Sequence, residues 1–365
     1  MSTVNANAAD DVGSLIFRPM ERTEADLLLF QRAFAENGSP RTLELLRWQY
    51  LQPPDGGLFV ELALAPPPSE VVAAIYAVFP VAVRVDGEVV RGAQSLNTLT
   101  DVRYRGKGLF IRMAKSGYDR CAKDGVTLVY GFPNGNSAHG FFQKLDWTSL
   151  DPLPVMVRPL RLSYVTSRLS RGKLRPPRFL DPPIPVLGGG APRGCTFRPV
   201  TEFGPELDAV WRKFAAGIGV TIERSSEYLR WRMSRPGARY EVIGLYRGAE
   251  LLGYVCTGIS EPDAGGASGT IMELIADPAD RHAAHALLAE ALRRLSRAGC
   301  GAVWAWNFAH SPNHAAFRRA GFLTLPPKYI PGELHMGAKA LLPMNDAPLK
   351  SRDRWYISLL DSDTH

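Results

Sequence analysis

The stretch from Asp101 to Arg120, DVRYRGKGLFIRMAKSGYDR, places basic and glycine residues just before an amphipathic helical pattern. The glycines at 106 and 108 lack a Cβ, so backbone N–H groups can approach an oxyanion closely there. The first turn of the helix adds unpaired N–H donors and the positive end of the helix dipole, and Arg105 and Lys107 add charge. We therefore predict an anion site suited to a pyrophosphate. The alternative is a plain turn.

The elements that would position this loop occur twice along the chain. The segments ELLRWQY (44–50) and EYLRWRM (227–233) share Glu, Leu, Arg and Trp in register. Each is followed by apolar strand patterns, an amphipathic helix that stops at a glycine, a short apolar strand and a second helix. In the first copy, the strand SLNTLT (95–100) leads into the glycine loop. The sequence therefore predicts a tandem repeat of one α/β unit.

The predicted domains are residues 1–165, carrying the glycine loop, and residues 195–345, with a linker at 166–194 and a tail at 346–365. The linker is rich in proline, glycine and arginine, which disfavours regular structure. Between Arg158 and Arg178 the chain has seven basic residues and no acid. We interpret this run as solvated linker; the alternative is a surface for an anionic partner such as a nucleotide phosphate, an acidic glycan or a membrane. Without a recognisable reading module, we expect no nucleic-acid partner.

Composition bounds the protein class. Of 365 residues, 45% are hydrophobic and 22% charged, as in soluble globular proteins. The first residues do not resemble a secretory signal, and no apolar run has the length of a transmembrane helix. The four cysteines are far apart and form no zinc-binding pattern. We expect a cytoplasmic protein with reduced thiols, no transmembrane segment and no metal; the oligomeric state is open.

The loop and a later segment together resemble the GNAT superfamily of acyl-CoA N-acyltransferases. The loop pattern is D-x-x-Y-R-G-K-G, in which Arg105 and Gly108 match the first and fourth positions of the family's R/Q-x-x-G-x-G/A motif. Phe110 takes the place of its final small residue. The resemblance covers both repeats and implies an α/β fold of two tandem GNAT-like domains, each with a mixed, mainly antiparallel sheet flanked by helices.

The later segment, N-S-A-x-x-F-F-x-K-L-x-W, echoes the family's N-x-x-A-x-x-x-Y-x-K-x-G-F pattern more loosely. Its spacing from Asn136 is one residue shorter, and Phe142 stands where the family has a tyrosine. The resemblance implies acetyl-CoA as acyl donor, held partly by backbone groups of a strand that splays from its neighbour. The residues then expected to contact acetyl-CoA are Thr98, Leu99, Thr100, Arg105, Gly106, Lys107, Gly108, Leu109, Phe110, Asn136 and Phe142.

The resemblance also implies direct attack by an amine in a ternary complex. A backbone N–H beside the thioester would polarise its carbonyl, and the amine must be neutral when it attacks, so a general base or water chain is expected. The acid that many members carry on this strand is replaced by Asn97, opposite Glu273 in the second repeat. Phe142 cannot protonate a thiolate, so Tyr130 is a candidate proton donor; the alternative is a half-buried strand tyrosine. Asn136 either bonds the pantetheine, caps its helix, or does both.

Trp48 and Tyr50 lie where the family builds its acceptor pocket, and they could stack on a sugar or an aromatic amine. Trp231 repeats Trp48, which favours a core role for that tryptophan. Tyr50 is replaced by Met233 in the second copy and is the better acceptor-site candidate.

The tail, DRWYISLLDSDTH, belongs to neither repeat. Apolar residues alternate from Trp355 to Leu359, which predicts a strand half-buried on one face. Our hypothesis is that the tail crosses back to the first repeat and brings Asp361, Asp363 or the terminal carboxylate to the thioester as base, as in other tandem members of the superfamily. The alternative is a surface strand of the second repeat, with its acids in water.

In the second repeat, His282 and Ala284 stand in register with Gly106 and Gly108. A Cβ at these places crowds the approach to a pyrophosphate, so we expect the second repeat to bind CoA weakly or not at all. Three functions stay open. The first is acetyl transfer to the amine of a small molecule, such as an amino sugar or an amino-acid derivative. The second is transfer from a longer acyl-CoA or an aminoacyl-tRNA, and the third is acyl-CoA binding without catalysis.

Overall fold

The computed structural model describes residues 12–69, 71–170, 181–188, 190–260, 267–326, 329–330 and 332–362. The strands, in chain order, are β1 (Ile16–Pro19), β2 (Phe59–Leu64), β3 (Val72–Val85), β4 (Glu88–Thr100), β5 (Leu128–Gly131), β6 (Thr148–Ser149), β7 (Val155–Pro159), β8 (Cys195–Pro199), β9 (Val220–Ile222), β10 (Tyr240–Arg247), β11 (Glu250–Ile259), β12 (Ser268–Ala276), β13 (Ala302–Trp306), β14 (Leu323–Thr324) and β15 (Gly337–Ala340). The helices are α1 (Glu24–Glu36), α2 (Leu43–Leu51), α3 (Leu109–Lys123), α4 (Gly135–His139), α5 (Leu162–Leu169), α6 (Pro205–Ala215), α7 (Ser226–Met233), α8 (Arg281–Arg297), α9 (His314–Arg319) and α10 (Ala347–Lys350).

These elements form two compact units. The first contains the residues up to Asp151 together with Gly332–Arg352. The second contains Pro152–Pro331 together with the residues from Asp353 onward. The chain thus leaves the first unit after residue 151 and returns to it at 332, whereas the sequence analysis placed the domain boundaries at 165, 194 and 345.

The sheet of the first unit has the strand order β1-β2-β3-β4-β5-β15-β6. Its pairs are antiparallel except for β4 with β5, which run parallel. Alternate residues of β3 point to opposite faces, as the period of a strand requires. Ile75 and Ala77 join the core with residues of α1 and α2, and Ala74 and Tyr76 join the core with residues of α3. Helices therefore cover both faces of this sheet.

The sheet of the second unit has the order β14-β7-β13-β12-β11-β10-β8. Here β12 and β13 are the parallel pair, and α8 supplies most of the helical residues of the core. β7 lies in the sheet of the second unit, although the strand before it in the chain, β6, lies in the first. Likewise β15 lies in the sheet of the first unit, although the strand before it, β14, lies in the second. The prediction of two tandem α/β units with mixed, mainly antiparallel sheets is confirmed.

The central hairpin of the first unit shows how local sequence sets the strands. Asp86 and Gly87, with φ of 47° and 92°, form the turn between β3 and β4, as the Asp-Gly pair predicts. β3 continues without a break through Pro80. Pro80 lies past the last pair of β3 with β2, Phe59 with Val78, so the ladder toward β2 does not need its missing N–H.

Candidate active site

A gap opens between the two parallel strands of the first unit. In the described structure, β4 and β5 pair from Gly92 with Leu128 to Ser95 with Gly131. At Gly131 a Cβ would stand 2.8 Å from the Ser95 carbonyl oxygen, so the closest approach of the strands requires glycine. Beyond this point β4 continues to Thr100 while β5 ends. Thr98, Leu99 and Thr100, predicted to line the donor site, are partly exposed on this stretch. Backbone groups there can pair with an extended ligand.

Asn97 stands at the start of the gap, in a left-handed conformation with φ of 47°. The register of β3 with β4 shifts in this region, where a bulge turns the strand. The Asn97 side-chain amide donates to Gln49 Oε1 at 3.0 Å and to the Tyr50 hydroxyl at 2.8 Å. The structure thus brings Asn97 and Tyr50 together, through α2, as a cluster of uncharged polar groups.

The other acceptor-site candidate, Trp48, is 5% exposed, and Tyr50 is 1% exposed within the core under α1 and α2. Helix α2 is fixed at its start by the Thr42 hydroxyl, which accepts from the Leu45 N–H. Stacking of an acceptor on either ring stays a prediction.

The glycine loop has the geometry of an anion-binding turn. Gly106 and Gly108 have φ of 77° and 78° with nothing within 4 Å of a Cβ position, and Gly108 is the N-cap of α3 without a side-chain cap. Arg105 and Lys107 are exposed, with the Arg105 Nε donating to the Thr100 carbonyl at 3.3 Å. The loop thus leaves open space at both glycines just before the first turn of α3, an arrangement that suits an oxyanion.

Residues on both sides of the glycine loop hold it in place. Asp101 accepts from the Arg103 backbone N–H and from its guanidinium at 2.9 and 3.0 Å, and these bonds lower the pKa of Asp101 to about 2. Leu109 is buried, and the half-buried Phe110 packs edge-on against Phe141, with ring centroids 5.0 Å apart. The side chains of both predicted donor-site residues thus anchor α3 to the core, so that any contact with a ligand falls to their backbone.

The remaining donor-site candidates lie at the end of β5 and on α4. Tyr130 is fully buried, and its hydroxyl donates to Gln94 Oε1 at 3.2 Å. Asn136 is exposed, and the N-cap of α4 is Asn134, whose Oδ1 accepts from the N–H groups of residues 136 and 137. The N-cap role left open for Asn136 therefore belongs to Asn134. Phe142 is half-buried in a π-helical turn, Gly140–Lys144.

Sequence reasoning missed a histidine in this part of the first unit. His335 lies just before β15, with its ring 5.9 Å from the Phe142 ring and its Nδ1 2.6 Å from Asp151 Oδ2. It lies about 200 positions after Phe142 in the chain, and no motif spacing connects them. They come together because β15, which follows the second repeat in the chain, pairs with β5 in the sheet of the first unit.

The tail differs from its prediction. Trp355, Tyr356, Ile357 and Leu359 are all buried, so the segment is covered on every side, where the alternation predicted a strand half-buried on one face. It forms an isolated bridge from Trp355 to Val220 and ends in a 3-10 turn.

Asp361 lies inside the second unit, whereas the sequence analysis placed it beside the thioester of the first repeat. Its Oδ2 accepts from the Arg224 guanidinium at 2.7 Å, and Arg224 also donates to Glu273 at 2.8 Å. Burial raises the pKa of Asp361 against the opposing effect of Arg224. The physical reason for this placement is that a fully buried guanidinium needs carboxylate partners. Asp363, the other tail candidate, lies outside the described residues.

The second unit has a parallel-strand gap in the same register, but it is filled. Its counterpart of Asn97 is Glu273, which accepts hydrogen bonds from Tyr356 and from Ser358 of the tail, the latter at 2.9 Å. The Leu274 carbonyl accepts from the Asn313 amide at 2.7 Å. The residues 274–276 are buried, unlike residues 98–100 of the first unit.

Within the described ranges, no cluster of three or more His, Cys, Asp or Glu side chains could hold a metal ion. In the same ranges, no helix has the length and apolar character needed to cross a bilayer.

Comparisons with known proteins agree with this geometry. Residues 19–150 match the acetyltransferase (GNAT) domain family. No curated protein matches the chain in sequence. Among solved structures, N-myristoyltransferase of Saccharomyces cerevisiae with bound myristoyl-CoA and inhibitors matches with a TM-score of 0.61 at 11% identity, over 89% of this chain and 80% of that one. A GCN5-related N-acetyltransferase from Anabaena variabilis matches with a TM-score of 0.61 at 11% identity, over 90% and 73%. The first unit thus carries a segment, residues 19–150, that matches the GNAT acetyltransferase domain, and the chain as a whole has a fold similar to those of these two solved structures.

Proposed function

We propose that the first unit transfers an acetyl group from acetyl-CoA to the primary amine of a small molecule, such as an amino sugar or an amino-acid derivative. The observation that carries this proposal is the combination of an unobstructed glycine loop at the start of α3 with an open gap between β4 and β5. The pyrophosphate would bind the N–H groups of the loop. The pantetheine would pair with the backbone of residues 98–100, which leads the thioester toward Asn97.

In this arrangement the amine attacks the thioester directly while both substrates are bound. The amine must lose its proton, and the buried carboxylates described in the first unit are already paired with arginines: Asp26 with Arg18, Glu61 with Arg120 and Asp101 with Arg103. The polar groups beside the gap, Asn97, Gln49 and Tyr50, are uncharged. An acceptor that is neutral, or becomes so through water, fits these surroundings better than a strongly bound ammonium.

A longer acyl donor is the second candidate, and an apolar groove favours it. The groove has a volume of about 840 Å³ and is lined by α1 and by the connection between β2 and β3; its lining includes Leu28, Leu29, Leu64, Ala65 and Val71. A cavity of this size and character is in the range that holds small ligands. N-myristoyltransferase, whose fold is similar, was solved with bound myristoyl-CoA.

The test is a thiol-release assay in which acetyl-CoA is offered with a panel of amines, and products are identified by mass. We expect acetylated product from at least one amine and none from Gly108→Val at the same donor concentration. Replacing acetyl-CoA by octanoyl- and palmitoyl-CoA distinguishes the two candidates through the ratio of kcat/KM values. Tight acyl-CoA binding with no thiol release from any donor and amine would support a binding protein without catalysis.

A further inference from the structure

The first unit contains a carboxylate–imidazole–carboxylate cluster that has no role in the proposed function as described. His335 Nδ1 lies 2.6 Å from Asp151 Oδ2, and its Nε2 lies 3.1 Å from Glu333 Oε1. The second oxygen of Asp151 accepts from the Met336 N–H at 2.9 Å, which fixes the carboxylate. Both ring nitrogens face carboxylate oxygens, an arrangement that suits an imidazolium, which has an N–H donor on each nitrogen.

Backbone bonds hold this cluster at the end of β5. The His335 N–H donates to the Pro133 carbonyl at 2.8 Å, and Leu334 forms a bridge with Asn134. Two residues further, Gly337 pairs with Gly131, the residue where β5 last contacts β4. The backbone of His335 is therefore tied to the segment that follows β5.

The surroundings of the ring favour its charged form. Partial burial acts to lower the pKa of His335, but the hydrogen bonds and charges of Asp151 and Glu333 outweigh it and raise the pKa above its usual value. The π-helical turn contributes the uncharged ring of Phe142. The His335 side chain is 24% exposed, so it is held in place and still reached by water.

Tyr130 and Tyr50 are both buried in the first unit. The Tyr130 hydroxyl is buried and donates to Gln94, and the Tyr50 hydroxyl accepts from Asn97 inside the core. Phe142 has no proton to give. His335, by contrast, has carboxylate oxygens at both ring nitrogens and a side chain that water can reach.

We propose that His335 is the general acid of the first unit and protonates the leaving thiolate, with Asp151 as the residue that positions its ring. This inference rests on the proposed acyl transfer. The amine nitrogen bonds to the carbonyl carbon, the carbon–sulfur bond breaks, and its electron pair stays on sulfur, which takes the proton from His335. The neutral imidazole then recovers, through water, the proton that the nitrogen releases, so CoA leaves as a thiol.

The sign of the pH dependence follows from this role. The acid acts in its protonated form, so turnover is present below the raised pKa of His335 and is lost as the pH rises through it. A general acid typically contributes about 10²–10⁴-fold to a rate. The loss of turnover at high pH is the alkaline limb of the kcat–pH profile. We therefore expect His335→Gln to lower kcat by about 100-fold or more, to leave KM for the acyl donor nearly unchanged, and to abolish this alkaline limb.

The matched control is His139→Gln, because His139 is an exposed histidine of α4 in the same unit, and its loss should leave kcat and the limb unchanged. Asp151→Asn keeps the histidine but removes the charge opposite Nδ1, so the alkaline limb should move to lower pH. A purely structural role would not shift this limb. Thermal melting and donor binding show whether each variant is folded. If His335→Gln does not fold, the pH dependence of Asp151→Asn decides the question instead.

The outcomes separate the two proposals. If the wild type turns over and His335→Gln keeps the kcat and alkaline limb of His139→Gln, this inference fails while the proposed function stands. An unshifted limb in folded Asp151→Asn likewise overturns it. If the wild type releases no thiol with any donor and amine, the proposed function fails, and the inference that rests on it fails as well.

Discussion

Gly108 precedes α3 in a left-handed conformation that places the N–H groups of the first turn in the open. A residue with a Cβ loses about 1–2 kcal/mol of conformational stability in this left-handed conformation. A β-branched side chain would also stand where the proposed anion would bind. If the proposed anion site is correct, the glycine serves both the turn and the ligand. These two contributions can be measured separately, because another glycine at the opposite end of α3 has nearly the same φ.

We predict that Gly108→Val abolishes most acyl-CoA binding, whereas Gly125→Val does not. Gly125 follows α3 with φ of 79°, and like Gly108 it has nothing within 4 Å of a Cβ position. Both variants should lose similar stability in chemical unfolding, since the conformational strain is the same. Calorimetric titration with acetyl-CoA measures the difference; equal affinity in both variants would show that the loop does not hold the pyrophosphate.

At the residue scale, the sequence indicated the loop because its signal is local. Arg105 to Gly108 lie within four positions, and the helix follows at once. The partner of Asn97 was not predictable in the same way, since Gln49 and Tyr50 reach it only through the packing of α2. His335 has no local signal, because the chain returns to the first unit only after the second repeat.

The tail shows the limit of periodicity at the scale of elements. Alternation from Trp355 to Leu359 predicted one buried face, but the segment is enclosed, and both sets of side chains are buried. A period-2 pattern reports polarity, and Tyr356 and Ser358 are polar residues buried through hydrogen bonds to Glu273. Such pairing depends on residues about 80 positions away, which no local pattern reveals.

We predict that Asp361→Ala strongly destabilises the second unit. Arg224 has no exposed side-chain surface, and its partners are Glu273 and Asp361 at 2.8 and 2.7 Å. Removing one carboxylate leaves part of a buried charge uncompensated, which typically costs about 3–5 kcal/mol. Urea unfolding measures this loss.

The control is Asp353→Ala, at the start of the same tail. Asp353 lies 3.5 Å from His310, but its side chain is 82% exposed. Exposed ion pairs contribute about 0–1 kcal/mol, so this variant should unfold close to the wild type. If the two alanine variants lose the same stability, the buried network around Arg224 does not stabilise the tail as described.

At the scale of the whole molecule, the same α/β architecture appears twice, but the gap between its parallel strands is partly exposed in the first unit and filled in the second. In the first unit, residues 98–100 of β4 are partly exposed. In the second unit, the corresponding residues 274–276 of β12 are buried, and side chains from the tail and from Asn313 occupy the polar groups beside them. The sequence predicted the repeat and the loss of loop glycines, but the filling of the second gap required the folded tail.

We therefore predict one acyl-CoA site per chain. The second unit has His282 and Ala284 where the first has Gly106 and Gly108, and its α8 begins with Asp280, whose Oδ1 accepts from the N–H groups of residues 282 and 283. This carboxylate already accepts the hydrogen bonds that an anion would need, and its negative charge repels a second anion. Calorimetry with acetyl-CoA should give a stoichiometry of about one for the wild type and no measurable site for Gly108→Val. Two equal sites, or a site that survives Gly108→Val, would mean that the second unit binds the donor despite its filled gap and its capped helix.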